Sequence, residues 1–300
     1  MKQPEHIPAR QNCRAPSVRT TGSSTSPASP KPTDSFPDPS APSFLTPQER
    51  AARFERICNE AMLERRSNGS AGIGTLAEKW QHQIVKRYLT ERTDCHELRL
   101  PGARYVSDVR IGSSVYEVQT GAFAPMQKKI AYYLTHTDWY VTVVRPIAQN
   151  RWVSVIDPET KEISPRKRSP RHGRAEELLP ELYCLLPHLG NPRLRFHLLM
   201  LEVYDFRLSA GSSRRRTGER FERIPLSLLG ELTFTSAADF ARLLPPALPS
   251  PFTVKQFSAL TRLRGRDAYS AVRVLAALGL LTPAPSVGRA MAFTVSTTVF

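Results

Sequence analysis

Residues 105–121 read YVSDVRIGSSVYEVQTG. Branched apolar residues on either side of Gly112-Ser113-Ser114 predict two short strands joined by a turn. Each strand also carries polar residues where a buried face is expected: Asp108 in the first, Glu117 and Gln119 in the second. Residues two apart share a face, so Val106, Asp108 and Arg110 lie together, as do Val115, Glu117 and Gln119. The turn brings Asp108 and Glu117 toward one another at an edge of the sheet. Two carboxylates that close repel, and each calls for a compensating cation. A hard divalent ion with oxygen ligands answers both, and Mg²⁺ is commonly held by one or two carboxylates together with water and substrate phosphate.

The flanking sequence supplies a scaffold. Thr46-Pro47-Gln48-Glu49 offers an N-cap, a proline at N1 and a capping-box glutamate, which start a helix running to about Arg66. Asn68 to Gly74 is a glycine-rich break. Thr75-Leu76-Ala77-Glu78 is a second capping box, opening TLAEKWQHQIVKRYL, whose Leu76, Trp80, Ile84 and Tyr88 repeat every four residues as a core stripe. After the paired strands comes GAFAPMQKKIAYYL, helical, with Phe123, Met126, Ile130 and Leu134 on one side. A buried strand at Trp139 to Ile147 follows, then a hairpin turning at Asp157-Pro158-Glu159-Thr160. Helix 175–189 and the strand LRFHLLMLEVYDFRL come next, with basic loops at 165–174 and 211–223. The order predicts an α/β (α+β) domain over 46–232 with a mixed central sheet flanked by helices.

Asp108, then Glu117-Val118-Gln119, with Glu78 on the preceding helix, resembles the PD-(D/E)xK nuclease superfamily, in which one strand bears Asp and the next Glu-x-Lys. The resemblance implies that Asp108 and Glu117 hold Mg²⁺ or Mn²⁺, that Glu78 is an additional acidic ligand, and that Gln119 stands where the lysine usually stands. Lysine there helps position the attacking water and stabilises developing negative charge, whereas an amide orients water but supplies no cation. Lys128 or Lys129, in the next helix, can supply that charge from another direction. His82, one turn after Glu78, is placed to line the same cleft. Over roughly residues 70–297 the chain also resembles an uncharacterised bacterial family whose members carry domains of unknown function. Together these imply a Mg-dependent endodeoxyribonuclease, with a catalytically inactive nuclease-fold DNA-binding protein as the alternative and RNA as an open second substrate.

The C-terminal residues 250–300 read as a separate winged helix-turn-helix. FTVKQFSALTRL is a helix capped near Thr253, Arg264-Gly265-Arg266 is a tight turn, DAYSAVRVLAALGLL is an amphipathic helix, and PAPSVGRAMAFTVS is a hairpin wing. Six cationic residues stand against the single acid Asp267 between 251 and 297. In such a fold the second helix enters the major groove. This directs Tyr269, Ser270 and Arg273 toward DNA bases and Arg264 and Arg266 toward phosphate.

Composition agrees with a polyanionic partner. Across 300 residues, 42 Lys and Arg outnumber 27 Asp and Glu, for a net charge of +15. Residues 1–45 hold nine of the 26 prolines and eight serines, too little apolar matter to offset ordering entropy, so a disordered tail is expected. Four cysteines without CxxC spacing give no zinc site or disulfide framework, and no run of 18 apolar residues suggests a membrane span. Reduced thiols and a cytoplasmic location are the corresponding expectations. Neither a GxSxG elbow nor a phosphate-cradling GxxxxGK[ST] occurs.

Overall fold

The computed structural model describes residues 42, 45–67, 80–100, 102–209 and 220–296. Apart from residues 42 and 45, the expected tail lies outside them, as do Leu76, Glu78 and the first part of the second basic loop. Helix α1 (Pro47–Ser67) starts at the expected capping box. The Glu49 carboxylate accepts from the Thr46 backbone N–H at 2.7 Å, and the Thr46 hydroxyl accepts from the Glu49 N–H at 3.3 Å. Helix α2 (Trp80–Leu89) buries Trp80, Ile84 and Tyr88, the described part of the expected stripe.

A seven-stranded mixed sheet forms the centre. Its strands are β1 (His96–Arg99), β2 (Val106–Ile111), β3 (Ser114–Val118), β4 (Tyr140–Ile156), β5 (Lys167–Arg168), β6 (Leu194–Leu208) and β7 (Arg220–Phe234). They are ordered β1-β2-β3-β4-β6-β7, with β5 added to β4. Parallel pairing of β3 with β4 and of β4 with β6 requires crossovers. These are helix α3 (Gln127–His136) and a short helix α4 (Leu178–Glu181) flanked by 3₁₀ turns. The two faces bury separate cores. Phe54, Ile57, Ile84, Tyr88 and Val109 from α1, α2 and β2 fill one, with Val144, Leu199 and Leu201 from the sheet. Phe123, Ile130, Tyr133, Val115, Leu178 and Phe196 belong to the other.

Three elements differ from the sequence reading. The strand at 139–147 and the first arm of the hairpin are one 17-residue strand, β4, because β6 runs unbroken alongside it and the polar Gln149-Asn150 step is absorbed as an irregularity between Ala148 and Asn150. The turn at Asp157 is where expected, with its Oδ1 accepting from Glu159 and Thr160 backbone N–H groups at 2.9 and 3.0 Å. Helix 175–189 is broken into one α turn and 3₁₀ segments, consistent with Pro180 and Pro187 removing backbone donors. Strand β7 begins within the expected 211–223 loop and runs through Pro225 and Gly230; as the last strand in the order it tolerates a proline.

After a 3₁₀ segment (Ala237–Leu243), the chain forms β8 (Phe252–Thr253), α5 (Val254–Thr261), α6 (Arg266–Ala277), β9 (Leu281–Val287) and β10 (Ala290–Val295). These strands make a second sheet ordered β8-β10-β9. Thr253 and Gln256 form the capping box of α5. The sequence boundary between 232 and 250 is not a boundary of the core. Phe252, Phe257, Ala271 and Leu275 join Leu178, Leu182 and Phe196 in one buried cluster, and α6 packs on α4 and the following 3₁₀ turns.

Candidate active site

The β2–β3 ladder pairs Ile111 with Ser114, Arg110 with Val115 and Val109 with Tyr116. The same register carries Asp108 to the position opposite Glu117. There the Val118 backbone N–H donates to Asp108 Oδ2 at 2.7 Å, so a side chain takes the place of a strand-to-strand bond. His82 Nε2, from α2, lies 3.2 Å from the same oxygen. Glu117 points into the α3 side of the sheet, where its side chain is only 4% exposed. Its Oε2 accepts from Lys129 Nζ at 2.5 Å and its Oε1 from the Tyr133 hydroxyl at 2.7 Å.

The two carboxylates are driven apart electrostatically. Burial opposes ionisation of Asp108, but the hydrogen bond and charge of His82, the charge of Lys129 and the Val118 N–H outweigh it and hold the group below its usual range. Burial and the Asp108 charge push Glu117 up to about 7, against the pull of Lys129 and Tyr133. One acid is thus a fixed anion and its neighbour exchanges a proton near neutrality. Such splitting of adjacent carboxylates is a hallmark of acid–base and metal-binding sites, although structural networks also produce it.

Of the residues singled out in the sequence, Asp108, Glu117 and His82 come together, and Glu78 is outside the described residues. Gln119 sits one step past β3, and its amide nitrogen donates to the Ala122 carbonyl, closing the turn that leads to α3. The cation on Glu117 is Lys129. Lys129 and Tyr133 are four apart on α3, hence on one face, and that spacing was the available signal for pairing them. In the sequence an aromatic on an amphipathic helix reads as core, and the Tyr133 ring is fully buried. Among the described residues no group of three or more His, Cys, Asp and Glu side chains is placed to hold a metal ion.

In the C-terminal segment, Arg264, Arg266 and Tyr269 are exposed, Tyr269 at 55%. Arg273 is exposed as well, and its guanidinium lies 5.6 Å from the centroid of the Tyr183 ring on the neighbouring 3₁₀ turns.

The family description Domain of unknown function (DUF8091) matches residues 79–235, just over half of the chain. The chain belongs to this family. No curated protein and no solved structure matched it. The DUF8091 segment begins immediately before α2 and ends after β7, so it contains His82, Asp108, Glu117, Lys129 and Tyr133. It stops short of α5 and α6, a narrower span than the 70–297 expected for the family. No helix among the described residues is long and apolar enough to cross a membrane.

Proposed function

We propose that the chain is a metal-dependent nuclease-like protein that hydrolyses DNA phosphodiesters at the Asp108–Glu117 pair. The observation that carries this reading is Lys129 on Glu117, which supplies from α3 the cation that Gln119 lacks on β3. A divalent ion held by Asp108 and Glu117 would polarise the phosphate and neutralise charge developing in the transition state. Around it the chain's own groups have distinct work. Asp108 stays ionised, anchored by His82 and the Val118 N–H. Glu117, poised near neutrality, would lose its proton to water at little cost on the approach of a cation. Lys129, now on Glu117, would place positive charge beside such an ion, where it could donate to a phosphate oxygen or orient the attacking water. The helix–turn–helix–hairpin order of α5, α6, β9 and β10 supports reading the last fifty residues as a winged helix-turn-helix. Its exposed Arg264, Arg266, Tyr269 and Arg273 would lie against DNA.

A second reading, a DNA-binding protein without catalysis, is favoured by the same contacts seen otherwise: both Glu117 oxygens already have protein partners. Purified protein with plasmid and single-stranded DNA in Mg²⁺, Mn²⁺ or EDTA decides between them. The proposal expects metal-dependent cleavage that is abolished by Asp108→Ala, falls about 100- to 1,000-fold in Lys129→Ala, and changes only a few-fold in Gln119→Ala. Cleavage that survives EDTA or Asp108→Ala overturns it. No cleavage, with a metal-dependent rise in melting temperature that requires Asp108, selects the second reading.

A further inference from the structure

Where β3 ends, β5 and the loop after it take over the edge of β4. Val153 pairs with Lys167 and Trp152 with Arg168. The Ser169 N–H then donates to the Arg151 carbonyl at 2.8 Å and the Gly173 N–H to the Ala148 carbonyl at 3.0 Å, which seats the loop along the strand. From Ile163 to Gly173 this edge carries Arg166, Lys167, Arg168 and Arg171 and no acid. All of these cations are exposed, and none of them forms an ion pair among the described residues. An uncompensated cationic edge suits a polyanion, whose phosphates supply the missing charge.

Arg166 is placed differently from its neighbours. Its guanidinium lies over the Trp152 ring, 4.1 Å from the centroid, and 5.1 Å from the centroid of Tyr204. Trp152 on β4 and Tyr204 on β6 are partners across the ladder, and both rings are pinned. The Trp152 Nε1–H donates to Glu202 at 2.9 Å. Ser154 gives its hydroxyl proton to the Ser164 carbonyl at 2.8 Å, so the Tyr204 hydroxyl donates to Ser154 Oγ at 2.7 Å. The aromatic floor holds the guanidinium in place while Arg166 stays exposed above it. A guanidinium plane is a surface on which an unpaired base stacks, and a floor already in place lowers the cost of ordering it. Duplex DNA hides its base faces, so it would offer this edge phosphates alone.

We infer that Arg166, backed by Trp152 and Tyr204, is a stacking platform for an unpaired base of a DNA strand whose phosphates lie against Lys167, Arg168 and Arg171. The inference rests on the proposed DNA substrate and names its form as single-stranded, but it concerns binding and is testable without catalysis. The experiment measures fluorescence anisotropy of a labelled single-stranded oligothymidylate and of a duplex of equal length over a salt series. It is run in EDTA, with every protein carrying Asp108→Ala so that cleavage cannot intervene. Arg166→Ala should weaken binding of the single strand about 5- to 100-fold, the loss of one stacked base, and leave duplex binding within about twofold. Arg166→Lys, which keeps the charge but not the plane, should recover little of that loss. Lys167→Gln/Arg168→Gln/Arg171→Gln should flatten the slope of log affinity against log salt for the single strand by about 2, at about 0.7 for each phosphate contact. Unchanged single-strand affinity in Arg166→Ala, full affinity in Arg166→Lys, an equal loss on the duplex, or an unchanged slope in the triple variant overturns the inference. Absence of cleavage by the protein with Asp108 intact would overturn the nuclease proposal and leave this result standing.

Discussion

Glu117 should make the protein less stable as the solution turns alkaline, and Glu117→Gln should remove that dependence. In the folded chain the carboxyl titrates at about 7 instead of its ordinary 4.5, because burial and Asp108 disfavour its charge. A group whose folded value is raised contributes stability that is fully present below its unfolded value and is lost as pH climbs through the folded one. The window is therefore from 4.5 to about 7. At about 1.4 kcal/mol for each tenfold change, that gap corresponds to about 3 kcal/mol. Asp108 does not confuse the measurement, since its folded value is depressed and its contribution is lost only in more acidic solution. Glutamine keeps an oxygen for Tyr133 and Lys129 to donate to, but carries no titratable proton. In EDTA, wild type should lose about 6–12 °C in melting temperature relative to Glu117→Gln between pH 4.5 and 8, taking about 2–4 °C per kcal/mol for a body of this size. Differential scanning calorimetry across that range reads the difference directly. Two parallel curves would refute the argument that Glu117 is buried as an acid with a raised affinity for its proton.

Two further perturbations test the scaffold. Gly173 is a point of close approach: a Cβ added there would stand 2.5 Å from the Ala148 carbonyl oxygen and 2.9 Å from its carbon, both backbone atoms. Gly173→Ala should cost about 1–3 kcal/mol by overpacking, visible in urea unfolding, and a midpoint equal to wild type would count against the close seating of the 166–174 loop on β4. A chain ending at Pro249 should fail to fold independently, because it strips Phe252, Phe257, Leu275 and their neighbours from a shared core. At about 1.5–3 kcal/mol for each large side chain, three such losses rival a typical total stability of 5–15 kcal/mol. A soluble truncated protein with a cooperative thermal transition would show that the two segments fold separately.

Local chemistry made much of the body legible. Capping boxes at Thr46 and Thr253 need only residues three apart, and period-two and period-four apolar spacing marked β2, β3, α2 and α3, because each signal is contained within a few residues. The same alternation put Asp108 and Glu117 on the strands where they meet, since a turn fixes register between neighbours. What the sequence left open was decided by contacts between distant residues. Whether Lys128 or Lys129 carries the charge depends on how α3 rotates onto β3, and the buried Tyr133 settles that rotation. The unity of β4 depends on β6, some fifty residues away, offering backbone partners through a polar stretch. Pro225 hid β7 because a proline is a strand breaker everywhere except at an edge, and only the assembled sheet shows where the edge is. The placement of Arg273 over Tyr183 follows in the same way from the docking of α6 on α4. A helix's polar face is a property of its sequence, but what that face meets is a property of the tertiary fold.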